Sequence, residues 1–257
     1  LIAKWHGEGR LMYAVTPRFA ATSSIEQMDM AGALWKESPG TYLQSHVAEN
    51  RREVAWIGEL YPERRNYLDV YDHYGQLGPR AIYGHGVHLG DDEIARCHAT
   101  GSAIAHCPTS NFFLGSGCFD IARFKRAGRH VRIGLGTDIG AGTSFSPLQT
   151  MNEAYKAAQC HGNALSAWHA FHLATRGAAH ALYLDDTIGS LATGYEADLT
   201  VLDLHSTPLI EQRMRHCGSF EEALFVQMML GDDRAIRATY IAGECVYDRE
   251  RAAPFSF

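Results

Sequence analysis

Five strand-like runs, each followed by a helix-like run, fill the first two-thirds of this 257-residue chain and constrain its fold more than any other feature. The strands are read over LMYAVTP, TYLQSHV, AIYGHGVHL, SAIAHCP and VRIGLGTD. All are short and mostly apolar, as expected of strands buried on both faces. The helix after the first, SSIEQMDMAGALWKE, is expected to open on a capping box of Ser23 with Glu26. RREVAWIGELY follows the second strand, and DDEIARCHATG follows the third with an acidic first turn and a glycine stop. CFDIARFKRAG follows the fourth, and PLQTMNEAYKAAQC follows the fifth with Pro147 near the first helical position. Successive β-then-α units imply parallel strands covered by helices.

From about Leu191 the texture changes. GSLATGYEADLTVLDL and RATYIAGECVYD alternate apolar and polar residues around glycine turns, on either side of the helical segment FEEALFVQMMLG. These runs are expected to form a small sheet beside the first unit. The net charge of -6, with no cluster of Lys and Arg, excludes a nucleic-acid footprint. No apolar run reaches the roughly 18 residues of a membrane span. Six scattered cysteines without a CxxC pair read as reduced, buried thiols of a cytoplasmic enzyme.

Polar or ionisable residues recur where each strand hands over to its loop: Arg18, His46, His85, His106 and Asp138. In parallel α/β folds that end of the sheet carries function. Asp138 sits in GLGTDIGAGTSFS, where Gly136, Gly140 and Gly142 allow close approach and Thr143, Ser144 and Ser146 offer hydroxyls. Taken alone it is open between a turn residue and a metal ligand or proton acceptor. His46 and Glu49 reach one site only if the strand ends at His46 and the chain turns, because residues three apart on a strand face opposite ways. Imidazole suits zinc, and a nearby glutamate suits proton transfer with metal-bound water; a core histidine with a solvent glutamate is the alternative. His85 lies between Gly84 and Gly86, His88 reads as structural, and His106 either ligates or bonds the Thr109-Ser110-Asn111 turn. HGE at His6 to Glu8 has no PCxxC partner, and HExxH, GxSxG and GxGxxG are absent.

Histidine, histidine and aspartate at the ends of successive strands, with glutamate three residues after the first, resemble the amidohydrolase superfamily of metal-dependent hydrolases. Within it, TPRF, HVAEN, HCPTSNFFLGSG, GLGTDIGAGTSFS, LQTMNEAYK and GDDRAIRATYIAGE resemble the guanine deaminase family along essentially the whole chain. The resemblance implies an α/β fold: a partial (β/α)8 metal-dependent hydrolase barrel, strands four to eight, over residues 1–188. A small C-terminal β-sandwich portion with an intervening helix would occupy 189–257. It implies zinc held by His46 and Asp138, with Glu49, His85 and Asp138 catalytic. Guanine would be bound by Arg18 and Phe19 together with His46, Glu49 and Asp138. The family's products are xanthine and ammonia, and its members commonly form homodimers.

The chain departs from that family in one respect. No HxH pair occurs, although family members carry one at the end of strand one, and five of eight barrel strands are accounted for. A C-terminal portion truncated before residue 1 is therefore expected, poor in zinc and with unpaired strand edges prone to aggregation. The alternatives are a hydrolase of the same type acting on another purine, a pyrimidine or a triazine, and a non-catalytic remnant of the fold.

Overall fold

The computed structural model describes residues 1–126 and 128–251. A single helical turn, α1 (Ile2–Trp5), precedes β1 (Ala14–Val15) and α2 (Ile25–Glu37). Helix α2 is capped by Ser24, whose hydroxyl accepts the Gln27 N–H; the expected Ser23 cap is displaced by one residue because Ser23 Oγ donates to the Phe19 carbonyl instead. Next come β2 (Tyr42–Val47), α3 (Arg51–Leu60) and α4 (Tyr67–His73). β3 (Ala81–His85) leads into α5 (Asp91–Thr100), which ends on Gly101 in the left-handed conformation that glycine adopts without a Cβ penalty. β4 (Ala103–His106) leads into α6 (Pro108–Phe113) and the one-turn α7 (Ile121–Phe124). The longer helix expected over CFDIARFKRAG is thus a short one, and Ala127 within it lies outside the described residues. β5 (Arg132–Leu135) precedes α8 (Pro147–Gln159), which places Pro147 in its first turn, where its missing N–H is not needed.

The five strands form one parallel sheet in sequential order. Its register decides where function can gather. Val47 pairs with His85, Gly84 with Ala105, and His106 with Leu135, so the strand ends that carry the histidines share one rim. Leu43, Tyr83, Ile104 and Ile133 fill the sheet's buried layers against Met28, Ile94, Phe124 and Met151 from the helices. Helices α9 (Ala167–Ala174) and α10 (Arg176–Ala181) have no counterpart in the sequence reading, and α10 packs on β5. A Cβ at Gly134 would lie 3.0 Å from the Ala178 Cα, so that contact depends on glycine. Among the described residues the sheet does not close into a ring, and β1 and β5 are its edges.

A separate antiparallel sheet in the order β6 (Leu199–Leu202), β7 (Ile236–Ile241), β8 (Glu244–Asp248) follows, with α11 (Pro208–Met214) and α12 (Phe220–Leu230) inserted between its first two strands. The β7–β8 turn places both Ala242 and Gly243 at positive φ, the geometry that matches the natural twist of a two-residue hairpin. Residues 252–257 of the expected sandwich portion lie outside the described residues. The thiols are not uniformly hidden: Cys97 and Cys107 are buried, but Cys160 and Cys245 are exposed. No helix among the described residues is long and apolar enough to cross a membrane.

Candidate active site

The expected turn is present, one residue later than the end expected at His46. β2 ends at Val47, Ala48 takes φ 47°, and His46 and Glu49 come to the same side. His85 itself has φ 72° and Asp138 has φ 48°, conformations that cost a non-glycine residue about 1–3 kcal/mol. Three of the six non-glycine residues at positive φ among the described residues thus lie at or beside the candidate groups.

A cleft of about 780 Å³ opens there, and its lining includes Arg18, Phe19, His46, Glu49, His85 and Asp138. All six sequence-derived site residues therefore converge. Trp56, Leu114, Ile139, Gly140 and Ala141 complete much of the wall. Thr143, Ser144 and Ser146, expected to present hydroxyls, do not line it; Ser144 Oγ instead accepts the Ser146 N–H at 3.0 Å.

His46 is held by an identifiable partner. The Arg18 carbonyl accepts hydrogen bonds from the His46 N–H at 3.2 Å, the Ser45 hydroxyl at 3.2 Å and His46 Nδ1 at 2.7 Å. A carbonyl only accepts, so Nδ1 of His46 carries a proton and Nε2 is the nitrogen left free to ligate. That is the way a ligating histidine is usually oriented. The His46 ring stacks on His85, with centroids 5.3 Å apart, and meets Phe19 edge-on. His85 Nε2 lies 3.7 Å from Glu49 Oε2 and 3.9 Å from Asp138 Oδ2, beyond hydrogen-bond length.

Beneath the cleft a buried layer fixes these parts. The Tyr71 hydroxyl donates to the His46 carbonyl at 2.6 Å and accepts the Ala20 N–H at 3.1 Å, tying β2 to the loop that carries Phe19. Burial drives the phenol's pKa upward, so it remains a donor. Glu53 accepts the backbone N–H groups of Glu49 and Asn50 and the hydroxyl of Tyr67. Asn50 in turn caps α3, completing a capping box with Glu53. The N-x-x-E spacing in NRRE was the sequence signal for this support. Asn111, bonded to His85, and Ser116, bonded to Glu49, lie in a segment that the family resemblance marked without giving any residue of it a role.

His106 does not make the turn hydrogen bond that was one of its two expected roles. It is buried, stacks on Phe119 with centroids 4.5 Å apart, and its Nδ1 has no partner among the described residues. Its ring makes no hydrogen bond to the Thr109-Ser110-Asn111 turn, where Thr109 donates to the Thr137 carbonyl and Asn111 Oδ1 meets His85 Nδ1. His88 is structural as expected, bonding the Ser116 carbonyl at 2.8 Å. Burial, and then the neighbouring His85, push the His106 pKa down to about 3 from the usual 6.5. Between those values the unfolded chain binds a proton that the folded chain refuses. Stability is therefore expected to fall as pH drops through that window, by up to about 1.4 kcal/mol per unit, and to be untouched by this group above it. A His106→Gln variant should show a flatter dependence of its urea midpoint on pH there; equal slopes would refute the assignment.

Imidazole nitrogen and carboxylate oxygen are donors that zinc accepts. Yet no group of three or more His, Cys, Asp or Glu side chains among the described residues is arranged to hold a metal ion. The chain's own donors fit zinc in kind and fall short in number.

Residues 1–246 match the model of the amidohydrolase family, and the chain belongs to that family. It is 51% identical to the guanine deaminase of Escherichia coli over 97% of its own length and 56% of that protein's. The solved E. coli guanine deaminase superposes with a TM-score of 0.95, over 97% of this chain and 58% of that one. A guanine deaminase from C. acetobutylicum, solved with guanine in its active site, matches at 31% identity and a TM-score of 0.79, over 90% of this chain and 54% of that one. An adenosine deaminase from Xanthomonas campestris with bound zinc matches at 25% identity and 0.81, over 94% and 53%. The chain spans about half the length of the curated relatives it matches.

Proposed function

We propose that this chain carries the proton-transfer and substrate-binding half of a guanine deaminase, hydrolysing guanine to xanthine and ammonia. The observation that carries the reading is the convergence of Arg18, Phe19, His46, Glu49, His85 and Asp138 in one cleft. Their kinds suit the reaction. Loss of ammonia requires a carbon made tetrahedral by water, and the ring nitrogen beside it must gain a proton as attack proceeds. Glu49 takes a proton from the attacking water and delivers it to that nitrogen, with Oε2 as the oxygen nearest His85. Asp138, an acceptor when ionised, receives the second proton of that water and returns it to the departing amine, which leaves as ammonia, and His85 Nε2 orients the incoming oxygen. Zinc supplies a nucleophile at neutral pH by lowering the pKa of water. His46 and Asp138 are the two ligands this chain offers it.

Arg18 gives the purine's carbonyl oxygen fixed donors, and the Phe19 ring covers the face of the heterocycle. An adenine amino group at that place would leave the guanidinium unpaired, the type of mismatch that buried polar sites reject strongly. Residues 1–188 are read as the barrel part of the enzyme, 189 onward as the sandwich part, and the whole as a cytoplasmic homodimer.

The test is turnover of guanine, adenine, cytosine and a triazine by the full chain, followed as ammonia release. Guanine is expected to be preferred. Arg18→Leu is expected to lower kcat/KM for guanine roughly 10- to 150-fold, the value of a hydrogen bond to a charged group. Equal turnover of adenine, or no effect at Arg18, would remove guanine as the substrate.

A further inference from the structure

The motif HCPTSNFFLGSG contributes only Leu114 to the cleft wall, yet most of it is packed out of solvent: Asn111 is 1% exposed and Ser116 5%. Two of its side chains reach the proton-transfer groups from behind. His85 Nδ1 lies 2.9 Å from Asn111 Oδ1, and the Ser116 hydroxyl donates to Glu49 Oε1 at 2.9 Å. The segment is itself pinned. The Ser116 N–H donates to the Asn111 carbonyl at 2.8 Å, the Asn111 N–H to that of Cys107 at 3.0 Å, and His88 Nε2 to that of Ser116. Thr109 Oγ1 donates to the Thr137 carbonyl, next to Asp138.

We propose that the segment after β4 is a clamp that positions both proton-transfer groups, Asn111 fixing the proton of His85 on Nδ1 and Ser116 committing Glu49 to react through Oε2. This deepens, and rests on, the reading of the cleft as a deaminase site. Asn111 Oδ1 can only accept, so His85 presents Nε2 to Glu49 and Asp138. Ser116 occupies one carboxylate oxygen of Glu49 and leaves the other, the one 3.7 Å from His85, to the cleft. Neither residue touches the cleft, so both are positioning residues. The reversed Asn111 amide would set its NH₂ against Nδ1 and move the ring proton to Nε2, which makes the ring tautomer the decisive observable.

The experiment uses the full chain labelled with ¹⁵N-histidine, the His85 signals being assigned by comparison with His85→Asn. Nδ1 is expected to be protonated, and Asn111→Leu to give a mixture of tautomers. An unprotonated Nδ1, or identical spectra for the two proteins, would overturn the proposal. In turnover, Asn111→Leu and Ser116→Ala are each expected to lower kcat roughly 10–100-fold, the usual effect of losing such an outer partner, with KM little changed. Asn111→Asp, which keeps the acceptor, is expected to recover most of the loss. A rise in KM with kcat intact, or no recovery by Asp, would show these residues to be packing only. If the ring spectra behave as expected but guanine is not turned over, the clamp stands and the substrate assignment falls.

Discussion

Replacing Glu49 with Gln is expected to lower kcat for the proposed deamination by roughly 10²–10⁴-fold, the usual contribution of a positioned acid or base. The exchange keeps the side chain's length and shape. A glutamine oxygen still accepts the Ser116 hydroxyl, and the backbone N–H at position 49 still donates to Glu53. What disappears is the capacity to take a proton and give it up. KM should therefore change little, because Arg18 and Phe19 are unaltered, and the thermal midpoint should stay near that of the parent. Steady-state kinetics and a thermal melt of the same preparation separate the two effects. A further arm tests whether Glu49 and His85 act together. Groups that serve one step are strongly non-additive, so Glu49→Gln with His85→Asn should cost little more than the worse single change. A loss below tenfold for Glu49→Gln would remove it from the proton path.

How much of this was legible in the sequence differs from element to element. The five parallel strands were, because each apolar run ends in a polar residue and is followed by a helical pattern, and strand periodicity is local information. Asn50 and Glu53 were legible in principle, as a capping signal, but their second use in supporting Glu49 depends on the Tyr67 hydroxyl, which reaches Glu53 from a different helix. The Ser23 cap was misplaced by one residue because two adjacent serines offer the same hydroxyl, and only the Phe19 carbonyl decides between them. His106 was undecidable: nothing local distinguishes a histidine that ligates from one stacked on Phe119 with a bare Nδ1. Helices α9 and α10 went unread although α9 is apolar through much of its length, since AWHAFHLATRGAAHALYL contains histidines on several faces and an internal glycine. The positive φ values of Ala48, His85 and Asp138 had no sequence signature, because alanine, histidine and aspartate do not require them; the rim imposes them.

The loop bearing Asp138 gives the largest expected effect of a single added methyl group. The Gly142 N–H donates to the Asp138 carbonyl, folding the loop back on itself. A Cβ at Gly142 would lie 1.8 Å from the Thr137 carbonyl oxygen and 3.0 Å from that of Asp138. The obstruction is backbone, so no rotamer change relieves it, and the loop must move. Thr137 is not free to follow, since its carbonyl also accepts from Thr109 on α6. Asp138 is thus expected to shift by on the order of 1 Å, enough to cost about 10²-fold in kcat/KM. Zinc retention during gel filtration should fall as well, Asp138 being one of the two ligands proposed. The sheet should survive, because β5 ends at Leu135 and the loop lies on the rim. Gly58→Ala is the matched control. Gly58 is exposed within α3 and its Cβ would meet nothing within 4 Å, so that variant should gain about 1 kcal/mol from helix propensity and keep full activity. If Gly142→Ala instead matched Gly58→Ala in turnover and in metal content, Asp138 would have no part in the chemistry assigned to this cleft.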